Sequence, residues 1–136
     1  MKRILFILAV ALQCAFVSAT HSTVADSLLN ELRALPHDST RLKLLEKLVL
    51  TEQNSPHYIE YAKEMFEEAQ FQKSDKYRAS GSYYKLLYYY NQNEADSVSK
   101  LVNYLLPIAE RMQYWQMYFN AQKLLIYTYI YKEKYE

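Results

Sequence analysis

The side chains of this chain that could carry chemistry are few, and its three histidines come first. His21, His37 and His57 each lie close to the start of a predicted helix. None has a second histidine or cysteine three or four residues away, which is the spacing that places two metal ligands on one helix face. We therefore expect no metal site and no cofactor.

A cluster of carboxylates is the second candidate. Glu64, Glu67 and Glu68 lie together on one predicted helix, and paired carboxylates can act as general acid and base when they share a cleft. They point away from the apolar stripe that contains Phe66, so we interpret them as a solvated helix face. The serines in the middle of the chain have no histidine near them in the sequence, so no nucleophilic constellation stands out. We expect the chain not to be an enzyme.

Composition narrows the classes of protein further. The chain has 136 residues, is 51% hydrophobic and carries a formal net charge of +1. These values suit one domain with its own core and argue against a nucleic-acid partner. A single glycine excludes glycine-rich phosphate loops and dinucleotide-binding motifs, which need several. It also argues against an all-β fold, whose tight turns use glycine.

The N-terminal segment has the three-part layout of a secretory signal peptide. Lys2 and Arg3 give a positive start, an apolar run covers residues 4–17, and Ala19 lies at the small-residue position before a cut. The run is shorter than the about 20 residues that span a bilayer as a helix. We predict a signal peptide over residues 1–19, cleaved near Ala19, and an exported protein. An uncleaved anchor or a buried helix is the alternative.

Cys14 raises the question of a lipid-modified N-terminus. A lipoprotein signal has a small residue before its cysteine, whereas this chain has Gln13, and Cys14 lies inside the apolar run rather than at its end. Cleavage near Ala19 would remove the only cysteine. The exported chain would then have neither a disulfide nor thiol chemistry.

From Thr23 onward, apolar residues recur every three or four positions, which predicts helices rather than strands. Polar or proline-containing breaks divide this stretch into six helices. Thr23 and Asp26 are expected to cap the first helix and Asp96 the fifth. Because the loops are short, successive helices run antiparallel. We predict an all-α fold over residues 23–136.

Small residues recur at a fixed interval within these helices. Gly81 and Ala121 lie forty residues apart in the middle of the fourth and sixth helices, and Ala69 and Ala109 lie forty apart near the ends of the third and fifth. Small residues at fixed places in paired helices let the helix axes approach closely. The interval therefore predicts antiparallel hairpins that stack on one another as a solenoid.

Two spaced motifs carry a family resemblance. They are Ala62, Phe66 and Ala69 on one helix, and Tyr77, Gly81 and Tyr84 on the next. In this pattern the chain resembles tetratricopeptide-repeat (TPR) proteins over roughly residues 38–136, which implies a TPR-like α-solenoid. The interval of 40 residues departs from the usual period of about 34, and Arg41 stands where the family has a small residue.

The combination of a signal peptide with tyrosine-rich repeats is also similar to the exported N-terminal region of certain bacterial sensor kinases and transcriptional regulators. That resemblance implies a non-catalytic, periplasmic interaction module whose partner is a protein or peptide. It implies contact with the membrane only during export or through a downstream segment. A free-standing periplasmic scaffold for envelope assembly and, more remotely, a small helical enzyme are the alternatives.

In TPR proteins, the first helices of each pair line a concave groove that holds the partner. By this resemblance the groove candidates are Arg78, Ser82, Lys85, Tyr89, Tyr118, Gln122, Leu125 and Tyr129. The sequence ends within a repeat, and the sixth helix is apolar on opposite sides. We therefore expect a TPR-like domain that is incomplete at its C-terminus and that self-associates or frays through this open helix.

Export leads to a direct prediction. Protein recovered from the producing cell is expected to begin near Thr20, because signal peptidases cut after small residues such as Ala19. N-terminal sequencing of the purified protein measures this. Intact Met1 in a cytosolic fraction would contradict export.

Overall fold

The computed structural model describes residues 22–135, so the predicted signal peptide lies outside the described residues. The described part is helical without strands, which confirms the all-α prediction. Its helices are α1 (Thr23–Ala34), α2 (Ser39–Thr51), α3 (Tyr58–Phe71), α4 (Asp75–Asn91), α5 (Ala95–Arg111) and α6 (Trp115–Tyr135).

Short polar side chains cap α1 and α2, whereas α3, α4 and α5 begin without a side-chain cap. The Ser22 hydroxyl accepts the Ala25 amide at 3.1 Å and caps α1, so the cap lies just before Thr23. The Asp38 carboxylate caps α2 by accepting the amides of the following turn. α5 begins after Glu94 without a side-chain cap, so the prediction that Asp96 caps it was wrong.

Three of the turns between helices have the same backbone geometry. Lys73, Asn93 and Gln113, twenty residues apart, adopt left-handed φ values of 54°, 57° and 59°. In each turn the next amide bonds to the carbonyl five residues earlier, at 2.9, 3.0 and 2.8 Å. This Schellman arrangement ends a helix and reverses the chain. A hairpin of two helices therefore recurs every forty residues, which is the interval between Gly81 and Ala121.

Packing follows the order of the chain. Each helix contacts its neighbours in sequence, and α4 also contacts α2 and α6, whereas α1 does not approach α5 or α6. One apolar cluster joins α1, α2 and α3 with Tyr77 of α4. A second cluster joins Ala79 and Leu86 of α4 with α5 and α6. α4 thus lies between two cores and is covered on both sides.

Of the residues that the sequence assigned to packing, all but Phe66 and Gly81 lie in these cores. Ala62, Ala69, Ala109 and Ala121 are fully buried, and Gly81 is buried, while the larger Phe66 and Tyr84 are partly buried. At Gly81 the approach is close, because a Cβ atom there would lie 3.1 Å from Cα of Phe66 on α3. The absence of a side chain at Gly81 therefore sets the distance between α3 and α4.

Enlarging Gly81 tests this contact. Gly81→Leu is expected to lower the free energy of unfolding by about 1–3 kcal/mol, because the new side chain meets α3 backbone that cannot yield cheaply. Gly81→Ala is expected to cost less, since it gains up to about 1 kcal/mol in helix propensity. Urea unfolding measures both, with Lys100→Leu on the exposed side of α5 as the control. A Gly81→Leu variant as stable as the parent chain would refute the close approach.

Candidate ligand-binding surface

The acidic cluster of α3 is only partly a solvated face. Glu68 is 7% exposed, which corrects the expectation for this residue, while Glu64 is partly exposed and Glu67 exposed. Nδ1 of His37 lies 2.7 Å from the Glu68 carboxylate, and the Gln72 amide donates to it at 2.7 Å. The Glu68 carboxylate is therefore held by side chains from outside its own turn of helix.

Arg41 lies at the centre of this cluster. Its guanidinium donates to Glu68 at 3.2 Å, to Glu64 at 3.1 Å and to the carbonyl of Leu32 at 2.9 Å. It therefore joins α1, α2 and α3. Arg41 is forty residues before Gly81, so the first repeat has a long charged side chain at the position where the second repeat has a glycine in close contact with α3.

Burial alone would raise the pKa of Glu68. Hydrogen bonds from Gln72 and His37, together with the charges of His37 and Arg41, outweigh that effect and lower the pKa. The cluster thus stabilises the charged carboxylate, as a structural ion pair does. Its geometry serves to hold three helices together.

The groove residues on α4 do not form one open surface. Ser82 is completely buried, and its hydroxyl has no hydrogen-bond partner among the described residues. The ammonium of Lys85 lies 4.2 Å from the ring centroid of Phe66 on α3, and burial and the nearby Lys63 lower its pKa. Arg78 is paired with Asp75 at 3.2 Å, and Tyr89 is half-buried. A partner would find Ser82 inaccessible and Lys85 partly covered.

The corresponding residues on α6 are also largely covered. Leu125 packs against the second core, as does the Tyr118 ring, and Gln122 is half-buried. Tyr129 is the exposed member of the set, and its hydroxyl lies 3.5 Å from Oγ of Ser99 on α5. Of the eight residues, Ser82 is therefore buried and Tyr129 is exposed, while the other six are partly exposed.

A different surface is open along the line where α4 meets α6, which we call the α4–α6 seam. Near the start of α6 the seam holds a cleft of about 540 Å³ between Tyr83 and the segment 113–120. Toward the end of α6 it holds a cleft of about 330 Å³, where Tyr90 faces Tyr127 and Tyr131. Volumes of this order suit small ligands or single peptide side chains.

The lining of the seam combines aromatic rings with amides. Trp115, Tyr127 and Tyr131 are each about half exposed, at 48%, 49% and 50%. Asn91 and Asn120 are among the residues that line the two clefts. Aromatic side chains give contact area at little entropic cost, and amides can both donate to and accept from a peptide backbone. This chemistry is typical of surfaces that bind extended peptides.

The sequence contained a signal for the seam. Tyr83 and Tyr90 lie seven residues apart on α4, and Tyr127 and Tyr131 lie four apart on α6, so each pair shares a helix face. That spacing marks an aromatic stripe. Periodicity cannot show whether such a stripe lies in a core or at an open seam, and the family resemblance favours a different set of residues on both helices.

A third cleft lies between the α2–α3 turn and the end of α4. Its volume is about 560 Å³, and its lining includes Gln53, Asn54, Tyr58 and Tyr88. The Tyr58 hydroxyl already donates to the carbonyl of Tyr84 at 3.0 Å. The cleft offers fewer exposed rings than the seam.

Two further properties concern the described residues as a whole. Over residues 22–135, no group of three His, Cys, Asp or Glu side chains is arranged to hold a metal ion. None of the helices α1–α6 has both the length and the hydropathy to cross a membrane. Comparison with protein-family models, with curated proteins and with solved structures gave no match for this chain.

The Glu68 cluster gives a prediction with a definite pH dependence. Because the folded pKa of Glu68 is lowered, its charged form stabilises the fold above the unfolded pKa of about 4.3. That stability is lost as the pH falls through the folded value. Glu68→Gln is expected to cost about 1–3 kcal/mol at neutral pH, and the difference from the parent chain should shrink in acid.

Denaturant unfolding at a series of pH values measures this difference. The side chains that contact the Glu68 carboxylate are His37, Arg41 and Gln72, and all remain in the variant. Glu67→Gln on the exposed side of α3 is the matched control and should be nearly neutral throughout. A constant difference between Glu68→Gln and the parent across the acid range would contradict the ion-pair account.

Proposed function

We propose that this chain is a non-catalytic interaction module that holds a peptide segment of another protein along the α4–α6 seam. The observation that carries the proposal is the alignment of two aromatic clefts along one pair of helices. Tyr83 and Tyr90 of α4 form one side, and Trp115, Tyr127 and Tyr131 of α6 form the other. An extended peptide could place one side chain in each cleft.

The character of the seam supports a peptide rather than a nucleic acid. Lys132, in the cleft toward the end of α6, is the one charged residue among those that line the two clefts, whereas nucleic-acid surfaces carry a stripe of cations. Interface cores are enriched in tyrosine and tryptophan and poor in charge. Rings that are half exposed in the free protein gain contact area when a partner covers them, and such rings are the usual anchors of binding energy.

The cellular role extends this proposal. The N-terminal pattern around Ala19 and the resemblance to exported TPR-like regions favour a periplasmic sensing portion of a signalling or regulatory protein. A free-standing periplasmic scaffold in envelope assembly would use the same seam. A membrane-spanning helix encoded downstream of this segment would favour the sensor, and a gene that encodes no such helix would favour the scaffold.

Selection from a random peptide library displayed on phage tests the seam, since it requires no candidate partner. An enriched peptide is synthesised with a fluorescent label and titrated by polarisation. Tyr127→Ala should weaken its binding by about tenfold or more, as loss of a central anchor does. Tyr129→Ala is the matched control. It also removes a tyrosine ring, two residues further along α6, and the two side chains are equally exposed, at 50% for Tyr129 and 49% for Tyr127.

The control separates two accounts of the binding surface. Tyr129 belongs to the groove implied by the family resemblance, whereas Tyr127 lines the seam. If Tyr129→Ala weakens the peptide and Tyr127→Ala does not, the resemblance identifies the surface and the seam proposal fails. If neither variant alters binding, the peptide binds elsewhere and the seam proposal fails as well. Failure to enrich any peptide would remove support for a peptide-binding module.

A further inference from the structure

The side of α6 that faces away from the core is apolar along most of its length. Trp115, Phe119, Ile126 and Ile130 are 48%, 60%, 56% and 55% exposed, and their spacing of four, seven and four residues puts them in one line. We call this line the outer stripe. From Trp115 to Ile130, Lys123 is the single charged residue. A helix in permanent contact with water would carry far more charge on such a face.

The internal repeat shows what kind of element covers this position. Forty residues before Phe119 and Ile126 lie Ala79 and Leu86 of α4, and both are fully buried in the second core. The cover there includes α5, which follows α4 through a three-residue turn and supplies Val98, Val102 and Leu105. The outer stripe of α6 therefore occupies the position by which α4 binds an antiparallel helix.

We propose that the outer stripe is a dimerisation surface, on which α6 of a second copy of this chain packs antiparallel, in the position that α5 has on α4. An antiparallel pair of identical helices is related by a two-fold axis, so the same stripe serves both copies. The two α6 helices would then pack against each other as α4 and α5 pack within one chain.

The spacing along α6 suits this pairing. Intervals of four, three, four and three residues separate Trp115, Phe119, Gln122, Ile126 and Tyr129. This is the heptad spacing of two helices that pack against each other. Gln122 is the polar residue near the middle of this set. A single polar position within an otherwise apolar helix–helix interface fixes the register of the partner helix. The near absence of charge on the stripe gives two copies little mutual repulsion and offers a charged partner nothing to pair with.

Trp115 belongs both to the outer stripe and to the peptide seam, so the two proposals are separated at other residues. Phe119 and Ile126 do not line either cleft of the seam, so substituting them affects dimerisation without removing a seam residue. Trp115 is the only tryptophan in the chain and is half exposed. Its emission therefore reports directly on whether the stripe becomes covered.

Sedimentation velocity and tryptophan emission of the purified chain, across the micromolar range, test the proposal. The expected result is a concentration-dependent dimer, with a blue shift of Trp115 emission over the same range. Ile126→Glu should raise the dissociation constant by about tenfold or more, because it places a charge in the dimer interface. Leu50→Glu on α2, at a side chain that is 51% exposed, is the matched control and should leave the dimer intact.

Circular dichroism of both variants checks that they remain helical. Phe119→Ser is a second substitution that should weaken the dimer, and it introduces no charge. The proposal is overturned if the parent chain stays monomeric throughout this range. It is also overturned if a dimer forms that Ile126→Glu and Phe119→Ser leave unchanged, since the contact then lies elsewhere. Loss of the dimer with unaltered peptide binding would leave the seam intact, so the two proposals fail independently.

Discussion

The structure depends on α4 being covered on both of its faces. Tyr77 packs into the core formed by α1–α3, while Ala79 and Leu86 pack into the core formed with α5 and α6. At Gly81 the backbone of α3 comes so close that a Cβ atom would lie 3.1 Å from Phe66. Because α1 does not approach α5 or α6, α4 is the element through which the two cores are joined. A change in the packing of α4 therefore affects both.

The same constraint determines where a partner could bind. On the Lys85 side, α4 is bordered by α3 and α5, whose Phe66 and Tyr104 rings meet edge to face at 5.5 Å. Another edge of α4 meets α6, and there the tyrosines of both helices remain partly exposed. Tyrosine suits this double use, since its ring packs in a core while its hydroxyl tolerates water. The open seam is thus a consequence of how the hairpins stack.

The helical class and the forty-residue interval were well predicted, because both follow from local periodicity and from small residues at fixed places. The sequence could not show that Arg41 reaches Glu64 and Glu68, since that contact joins helices far apart in the chain. The family resemblance named Ser82 as a groove residue, but the burial of Ser82 depends on the actual stacking. The exposure of Tyr127 likewise depends on how the helices stack. Residue type and spacing identify a stripe, whereas burial is decided by which helix lies against it.

The central claim is that a peptide partner occupies the seam between α4 and α6. Intermolecular nuclear Overhauser effects between a bound, selected peptide and the aromatic protons of the isotope-labelled chain test this directly. The account predicts cross-peaks to the rings of Tyr83, Trp115 and Tyr127. Cross-peaks confined to Tyr89, Tyr118 and Tyr129, with none to the seam rings, would contradict it.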